Sequence, residues 1–140
     1  MSASAVRTFA AAWSAVPESS PVARHSLIAY LRDAAVDEDQ LADIALVISE
    51  GISNVINHAY NRFVVPGEFR LSAELDDDDL VIVLEDDGSG MLPRPDTPGL
   101  GLGLPLIASL SERFDVATQP TGGTCLRVWF RVRRSGRAES

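Results

Sequence analysis

The chain has 140 residues and no lysine; its twelve Lys-or-Arg positions are all arginine. A Walker-type phosphate loop needs a lysine on the β- and γ-phosphates, so that class of ATPase is excluded. Cysteine is nearly absent as well. A lone Cys125 cannot close an internal disulfide, and a reducing cytoplasm is the expected compartment. No apolar run approaches the roughly 20 residues of a membrane-spanning helix. The Ala-rich stretch from Phe9 to Val16 is interrupted and followed by Pro17-Glu18, unlike a signal peptide. Positive charge is also in short supply: the formal net charge is -8 and the pI about 4.6. A general binder of nucleic-acid backbone would carry a basic footprint, so no direct nucleic-acid partner is expected. The basic residues that do cluster, Arg127, Arg131, Arg133, Arg134 and Arg137, read as a strand running into a solvated tail.

What is present suits one folded domain over residues 1–134, with 135–140 as a disordered tail. Val6 to Ala11 reads as a short strand. Ser20 followed by Pro21 predicts a helix start, with Ser20 as cap, running to about Ala35. Asp37 and Gln40 have capping-box spacing and open a longer helix to about Tyr60. Strands follow at Phe69–Leu75 and Leu80–Glu85, joined by the acidic turn Asp76 to Asp79. That turn lacks the alternating ligands and glycine of a calcium loop. Met91 to Pro98 holds three prolines and reads as loop. A helix at Leu104–Leu110 and strands at Phe114–Thr118 and Cys125–Val132 complete the chain. A helix pair, a hairpin, a loop-helix and a closing hairpin make an α+β two-layer sandwich, not a βαβ alternation.

The longest helix carries the clearest pattern. Leu41, Ile44, Ala45, Ile48, Ile52, Val55, Ile56 and Ala59 form one face at a period near 3.6. Glu50, Asn54, Asn57, His58 and Asn61 gather on the other side. From Gly51 to Asn61 no Asp, Glu, Lys or Arg occurs, which suits a face looking into a polar pocket better than a solvated one.

Four short islands then stand out. Glu50 and Asn54, spaced i and i+4, stack on one helix face; a phosphoryl-transfer site needs a carboxylate base and a hard oxygen for magnesium. Asp86 ends an apolar strand before Asp87-Gly88-Ser89-Gly90, where a carboxylate could accept from the adenine amine while the glycines turn the backbone past the base. Gly99-Leu100-Gly101-Leu102-Gly103 precedes Leu104-Pro105. A proline suits a helix's first turn, so these glycines would place free N–H groups at a phosphate. Gly122-Gly123-Thr124 enters the last strand with a hydroxyl at its edge. Alone, each has an ordinary reading: a surface helix, an Asp-Gly turn, a glycine hinge, a hairpin.

In this order the four islands resemble the N, G1, G2 and G3 boxes of the Bergerat-fold (GHKL, HATPase_c-like) ATPases. Small size and Glu-x-x-x-Asn followed by His58-Ala59-Tyr60 resemble the anti-sigma-factor serine kinases of bacterial partner-switching systems. The resemblance covers roughly Ser20 to Phe130. It implies a mixed, mostly antiparallel sheet covered by helices on one face, and a site for ATP and Mg²⁺. By the same matching Glu50 is the catalytic base and Asn54 the magnesium ligand. Asp86 reads adenine, Gly88 and Gly90 shape its pocket, Gly99, Gly101, Gly103 and Leu104 meet the phosphates, and Thr124 supports the base side. Arg24 resembles the family's partner-docking arginine. The implied partners are an anti-sigma-factor antagonist of the STAS-like kind and a sigma factor, with homodimers common in the family.

One departure is visible. Only the eight residues Met91 to Pro98 separate Gly90 from Gly99, a short and proline-stiffened lid with Arg94 as its one basic residue. The expected activity is therefore a protein serine/threonine kinase whose turnover the lid limits. The rival expectation is a non-catalytic, nucleotide-gated module that sequesters a partner. A detached histidine-kinase catalytic domain fits less well, since no dimerisation helix pair with a phosphoacceptor histidine is evident and the lid is too short.

Overall fold

The structure is a computed structural model and describes residues 6–62, 67–87, 100–118 and 123–134. Its elements are β1 (Arg7–Ser14), α1 (Ser19–Asp33), α2 (Glu38–Arg62), β2 (Glu68–Leu75), β3 (Asp79–Asp86), α3 (Leu100–Leu110), β4 (Arg113–Thr118) and β5 (Thr124–Arg131). The strands form one sheet in the order β1-β2-β3-β5-β4, and each neighbouring pair is antiparallel. This is the expected α+β sandwich with a Bergerat-like architecture.

Strand alternation decides which face the helices cover. Phe69, Leu71, Ala73 and Leu75 of β2 are buried, as are Leu80, Ile82 and Leu84 of β3 and Leu126, Val128 and Phe130 of β5. Their neighbours along each strand are exposed or half-buried. Against the buried face lie Leu27 and Leu31 of α1, Leu41, Ile44, Val47, Ile48, Ile52, Val55 and Ile56 of α2, and Ile107 of α3. Burying side chains of this size stabilises by about 1.5–3 kcal/mol each before chain entropy is counted. Helix α2 thus follows its predicted period, with Val47 buried in addition and Ala45 only half-buried.

Several local expectations need correction. β1 extends three residues beyond Ala11. α1 begins at Ser19 after Glu18, with no side-chain cap bond, so Ser20 lies inside the first turn instead of capping it. Asp37 does cap α2, its Oδ2 accepting from the Asp39 N–H at 3.1 Å. Gln40 does not complete a capping box: its Nε2 donates to the Arg131 carbonyl at 2.7 Å and its Oε1 accepts from the Arg133 N–H at 2.8 Å. A buried amide bonded twice to backbone outcompetes the local bond that the spacing suggested.

The C-terminal arginines are likewise not a free tail as far as Arg134. Its guanidinium donates to the Ala34 and Asp76 carbonyls, and residue 134 pairs with Val36 as a β-bridge. The same seam holds the end of α1. There Ala35 has φ 67°, and the Val36 N–H returns to the Leu31 carbonyl at 3.1 Å, a Schellman closure without glycine. The chain beyond Arg134 lies outside the described residues.

Helix α3 starts at Leu100, four residues before the predicted Leu104, and Pro105 lies inside it. The proline withholds an N–H from the carbonyl of residue 101. One missing bond near the start of an apolar helix anchored by buried Ile107 does not stop it.

Candidate functional site

Helix α2 is positioned at two points along the sheet. Gln40, in its first turn, is bonded to the carboxyl end of β5. About three turns later comes Gly51. A Cβ added to Gly51 would stand 2.9 Å from Leu84 Cδ2 and 3.3 Å from Leu126 Cδ2, so here the helix backbone lies directly on β3 and β5. Asn54 is three residues further, about 4.5 Å along the axis. Asp86 and Thr124 are each two residues beyond those leucines, about 6–7 Å along their strands in the same direction.

The sheet register brings Asp86 and Thr124 together. Leu84 pairs with Leu126 and Glu85 with Cys125, so one further step sets Asp86 across from Thr124. Both continue the row of side chains that faces the helices. The apolar rows Leu80-Ile82-Leu84 and Phe130-Val128-Leu126 therefore end in a carboxylate and a hydroxyl at the same margin of the sheet, beneath Asn54.

Burial sets these residues apart. Among the described residues, four polar or charged side chains are buried: Gln40, Asn54, Asp86 and Thr124, none more than 6% exposed. Gln40 is accounted for by its two backbone bonds. The other three are residues the sequence assigns to the pocket. Polar side chains are buried where polar partners surround them, so a cluster of three at one sheet margin marks a polar place in an otherwise apolar core.

Glu50 precedes Asn54 by one turn and is half-buried. In helical projection Glu50 lies about 100° from the sheet-facing Gly51 and Asn54 about 60°, on the same side. That side faces α3. Asp43 on α2 lines a recess with Ser109, Leu110, Ser111 and Glu112 at the end of α3 and with Arg131 and Arg133. The Glu112 N–H also donates to the Trp129 carbonyl at 2.8 Å, fixing that end to β5. Helix α3 therefore runs antiparallel to α2. Its eleven residues span about 16 Å, the same rise as from Asp43 to Asn54. With that direction and length its first turn falls toward the Glu50–Asn54 end of α2.

Gly101 and Gly103 belong to that turn, where the first four N–H groups have no partner within the helix. Leu104 follows them. Gly88, Gly90, Gly99 and the Met91–Pro98 lid lie outside the described residues, as do the side chains of His58, Asn61 and Leu104. Arg24 is not in the pocket: on α1, its Nη1 donates to Ser49 Oγ of α2 at 3.1 Å. It lines a shallow surface recess with Pro21, Val22, His25 and Ser26.

Two glycines matter more than sequence reasoning allowed. Besides Gly51, Gly123 is packed so tightly that an added Cβ would stand 1.8 Å from the backbone oxygen of Asp86. A glycine in mid-helix directly after Glu50, where alanine would be favoured by about 1 kcal/mol, was a signal available in the sequence. Gly123 carried no comparable signal, because Gly-Gly before a strand usually means a turn.

The domain is thus α+β, with buried Asn54 on α2 and buried Asp86 and Thr124 at the ends of β3 and β5 gathered toward one margin of an antiparallel sheet. The family model described as the histidine kinase-like ATPase domain matches residues 6–130, and the chain belongs to that family. It is similar to the anti-sigma F factor of Shouchella clausii, 25% identical with 84% of this chain and 87% of that protein covered. It is also similar to the anti-sigma F factors of Pasteuria penetrans (24%; 84% and 86% covered) and Bacillus subtilis (22%; 88% and 91% covered). The crystal structure of the RsbU and RsbW domains of Rv1364c from Mycobacterium tuberculosis has the same fold, with a TM-score of 0.72 at 22% identity. The match covers 91% of this chain and 33% of that longer one.

Proposed function

We propose that the chain is an ATP-dependent serine/threonine protein kinase that phosphorylates a serine on a small anti-sigma-factor antagonist. In its alternative partnership it holds a sigma factor inactive. The observation that carries this reading is the gathering of buried Asn54, Asp86 and Thr124 at one sheet margin, with Glu50 on the same helix flank and the first turn of α3 alongside. The similarity to anti-sigma F factors supplies the partner class, and a cytoplasmic setting goes with it.

The side chains divide the work by their chemistry. Asp86, at the end of β3, accepts from the adenine amine, and Thr124 backs the same side of the pocket. The N–H groups at Gly101 and Gly103 approach phosphate oxygens, aided by the helix dipole. Glu50 takes the proton of the attacking serine as the Oγ–phosphorus bond forms and the bond to the ADP oxygen breaks. Among the described residues no group of three or more His, Cys, Asp or Glu forms a metal cage. One neutral amide oxygen from Asn54 suits magnesium, which draws its other ligands from phosphates and water. When bound, that ion neutralises charge on the phosphates.

Incubation with labelled ATP and candidate antagonist proteins, scored for phosphoserine, tests the reading. Glu50→Ala should abolish transfer and leave ATP binding largely in place, since a base acts mainly in the transition state. Asn54→Ala should weaken the magnesium-dependent part of binding. Wild-type transfer rates in both variants would remove this helix flank from the active site. The short lid favours a second reading, a nucleotide-gated module that sequesters its partner without turnover. Tight, ATP-dependent partner binding with no phosphoserine would select it.

A further inference from the structure

Helices α1 and α2 lie antiparallel, and side chains tie them at two places. Near the turn that joins them, Arg32 Nε and Nη2 donate to the Glu38 carboxylate at 2.7 and 3.0 Å. Both side chains are exposed, and the pair restrains little that the short connection does not already fix. The second tie is at the open end of the helix pair. Arg24 Nη1 donates to Ser49 Oγ at 3.1 Å, across twenty-five positions of sequence, and both residues are half-buried. It stands about 12 Å from the first tie along α1 and about 16 Å along α2.

Ser49 is the residue before Glu50. With Gly51 toward the sheet, Ser49 lies about 160° round α2 on the α1 side, while Glu50 at about 100° and Asn54 at about 60° lie on the other. The tie and the proposed chemistry thus occupy opposite flanks of one helix turn. What such a tie restrains is roll. At Gly51 the helix backbone rests on Leu84 and Leu126 with no side chain of its own to key it. The apolar stripe of Ile44, Val47, Ile48, Ile52 and Val55 holds α2 to the sheet. Apolar attraction is non-directional, however, whereas a hydrogen bond fixes distance and direction. With side chains a helix has a radius of about 5–6 Å, so a roll of about 10° carries the Glu50 carboxylate about 1 Å. An error of about 1 Å at a reacting group costs up to about a hundredfold in rate.

We propose that Arg24 and Ser49 are positioning residues whose bond fixes the roll of α2, and with it the place of Glu50, a role that rests on Glu50 being the base of the reaction proposed above. Arg24 then has a task inside the protein that needs no partner. The chemistry of the pair suits that task. A guanidinium keeps its charge at any working pH, and the bond it makes is stronger than one between neutral groups. The serine hydroxyl is one rotatable bond from the backbone, so holding its oxygen holds the helix.

Steady-state kinetics separate positioning from docking. Ser49→Ala should lower kcat for phosphoserine formation about tenfold and leave the KM for the antagonist within about twofold. Alanine is favoured in a helix, so this variant should fold. Partner-free ATP hydrolysis needs the same base. It should fall by one common factor in Ser49→Ala and Arg24→Ala, with no further loss in the double variant. Ser49→Thr keeps the hydroxyl and should restore both rates. Amide NMR of the nucleotide-free protein reads the roll without any activity. Arg24→Ala and Ser49→Ala, substituted on different helices, should shift the Glu50 and Asn54 N–H signals in the same direction. A wild type that transfers phosphate to neither serine nor water removes the kinase reading, and the NMR comparison then decides the positioning role alone. Wild-type kcat in Ser49→Ala overturns the proposal. So do additive losses in the double variant, or an Arg24→Ala spectrum in which Glu50 and Asn54 are unmoved.

Discussion

Replacing Gly123 with alanine asks how rigidly the margin of the pocket is built. The added Cβ would lie 1.8 Å from the Asp86 carbonyl oxygen, 2.8 Å from the Asp86 carbonyl carbon and 3.0 Å from Asp87 Cα. Non-bonded heavy atoms are comfortable at about 3.5–4.0 Å, so the closest contact falls short by more than about 1.5 Å. All three atoms are backbone, and no rotamer change can relieve them. The start of β5 must move away from the end of β3, straining the pairing of Cys125 with Glu85 next door. Overpacking of this kind costs about 1–3 kcal/mol. At about 2–4 °C per kcal/mol for a domain near this size, the melting temperature should fall by roughly 2–12 °C. The same displacement carries Asp86 and Thr124 apart, so ATP affinity should drop about tenfold or more, near 1.4 kcal/mol. Gly67→Ala is the control: its Cβ would lie 2.8 Å from Asp87 Oδ1, the end of an exposed side chain that can rotate away at the loss of one exposed bond from the Glu68 N–H. It should change stability by less than about 0.5 kcal/mol. Thermal denaturation and calorimetric ATP titration of both variants decide the matter. If Gly123→Ala melts and binds like the wild type, or Gly67→Ala loses as much, the backbone-contact argument is wrong.

The remaining predictions address separate parts of the chain. Ala35→Gly removes the side chain from a residue held at φ 67° and should stabilise by about 0.5 kcal/mol, the relief outweighing the added freedom of the unfolded chain; an unchanged or lower melting temperature would mean the turn carries no strain. Asp76 accepts the N–H groups of Asp79 and Asp78, which hold its carboxyl below the ordinary 3.8. A depressed carboxylate contributes stability above its unfolded value and loses it as pH falls through the folded one. Asp76→Asn should therefore flatten the loss of stability below about pH 4, and an unchanged acid limb would refute the assignment. Asp86→Asn swaps one acceptor oxygen for a donor amide and should cost about 1–3 kcal/mol of ATP binding, with GTP much weaker than ATP in the wild type; equal affinities for the two nucleotides would sink the adenine role.

What the sequence made legible follows from range. The period of α2 and the runs of β2, β3 and β5 are local patterns, and tertiary structure reinforced them because the helix stripe and the strand rows bury against one another. The burial of Asn54 was readable for a related reason: amides without neighbouring charges are unusual on a solvated helix face. What was not legible depends on partners distant in sequence. Gln40 has the spacing of a capping box, yet its amide goes to Arg131 and Arg133, ninety-one and ninety-three residues away. Arg134 looked like part of a solvated tail, yet it closes the end of α1 and the β2–β3 hairpin. Pro105 looked like a helix start, but a tertiary anchor at Ile107 lets α3 begin a turn earlier. In each case a local rule lost to a backbone group that only the fold brings near.

The glycines show the same division in sharper form. A glycine chosen for turn geometry announces its role by its neighbours, whereas the surface met by one chosen for close approach shows only in the fold. Gly51 and Gly123 are of the second kind, and they act on the two sides of the proposed pocket. Gly51 lets α2 rest on Leu84 and Leu126, which sets the height at which Glu50 and Asn54 stand above the sheet. Gly123 lets the start of β5 close against the end of β3, which brings Thr124 to Asp86. Neither glycine needs a side-chain role of its own for the site to depend on it. The distance between the helix-borne pair and the sheet-borne pair is set by how closely backbone is allowed to pack, and at both contacts that closeness requires the absence of a Cβ.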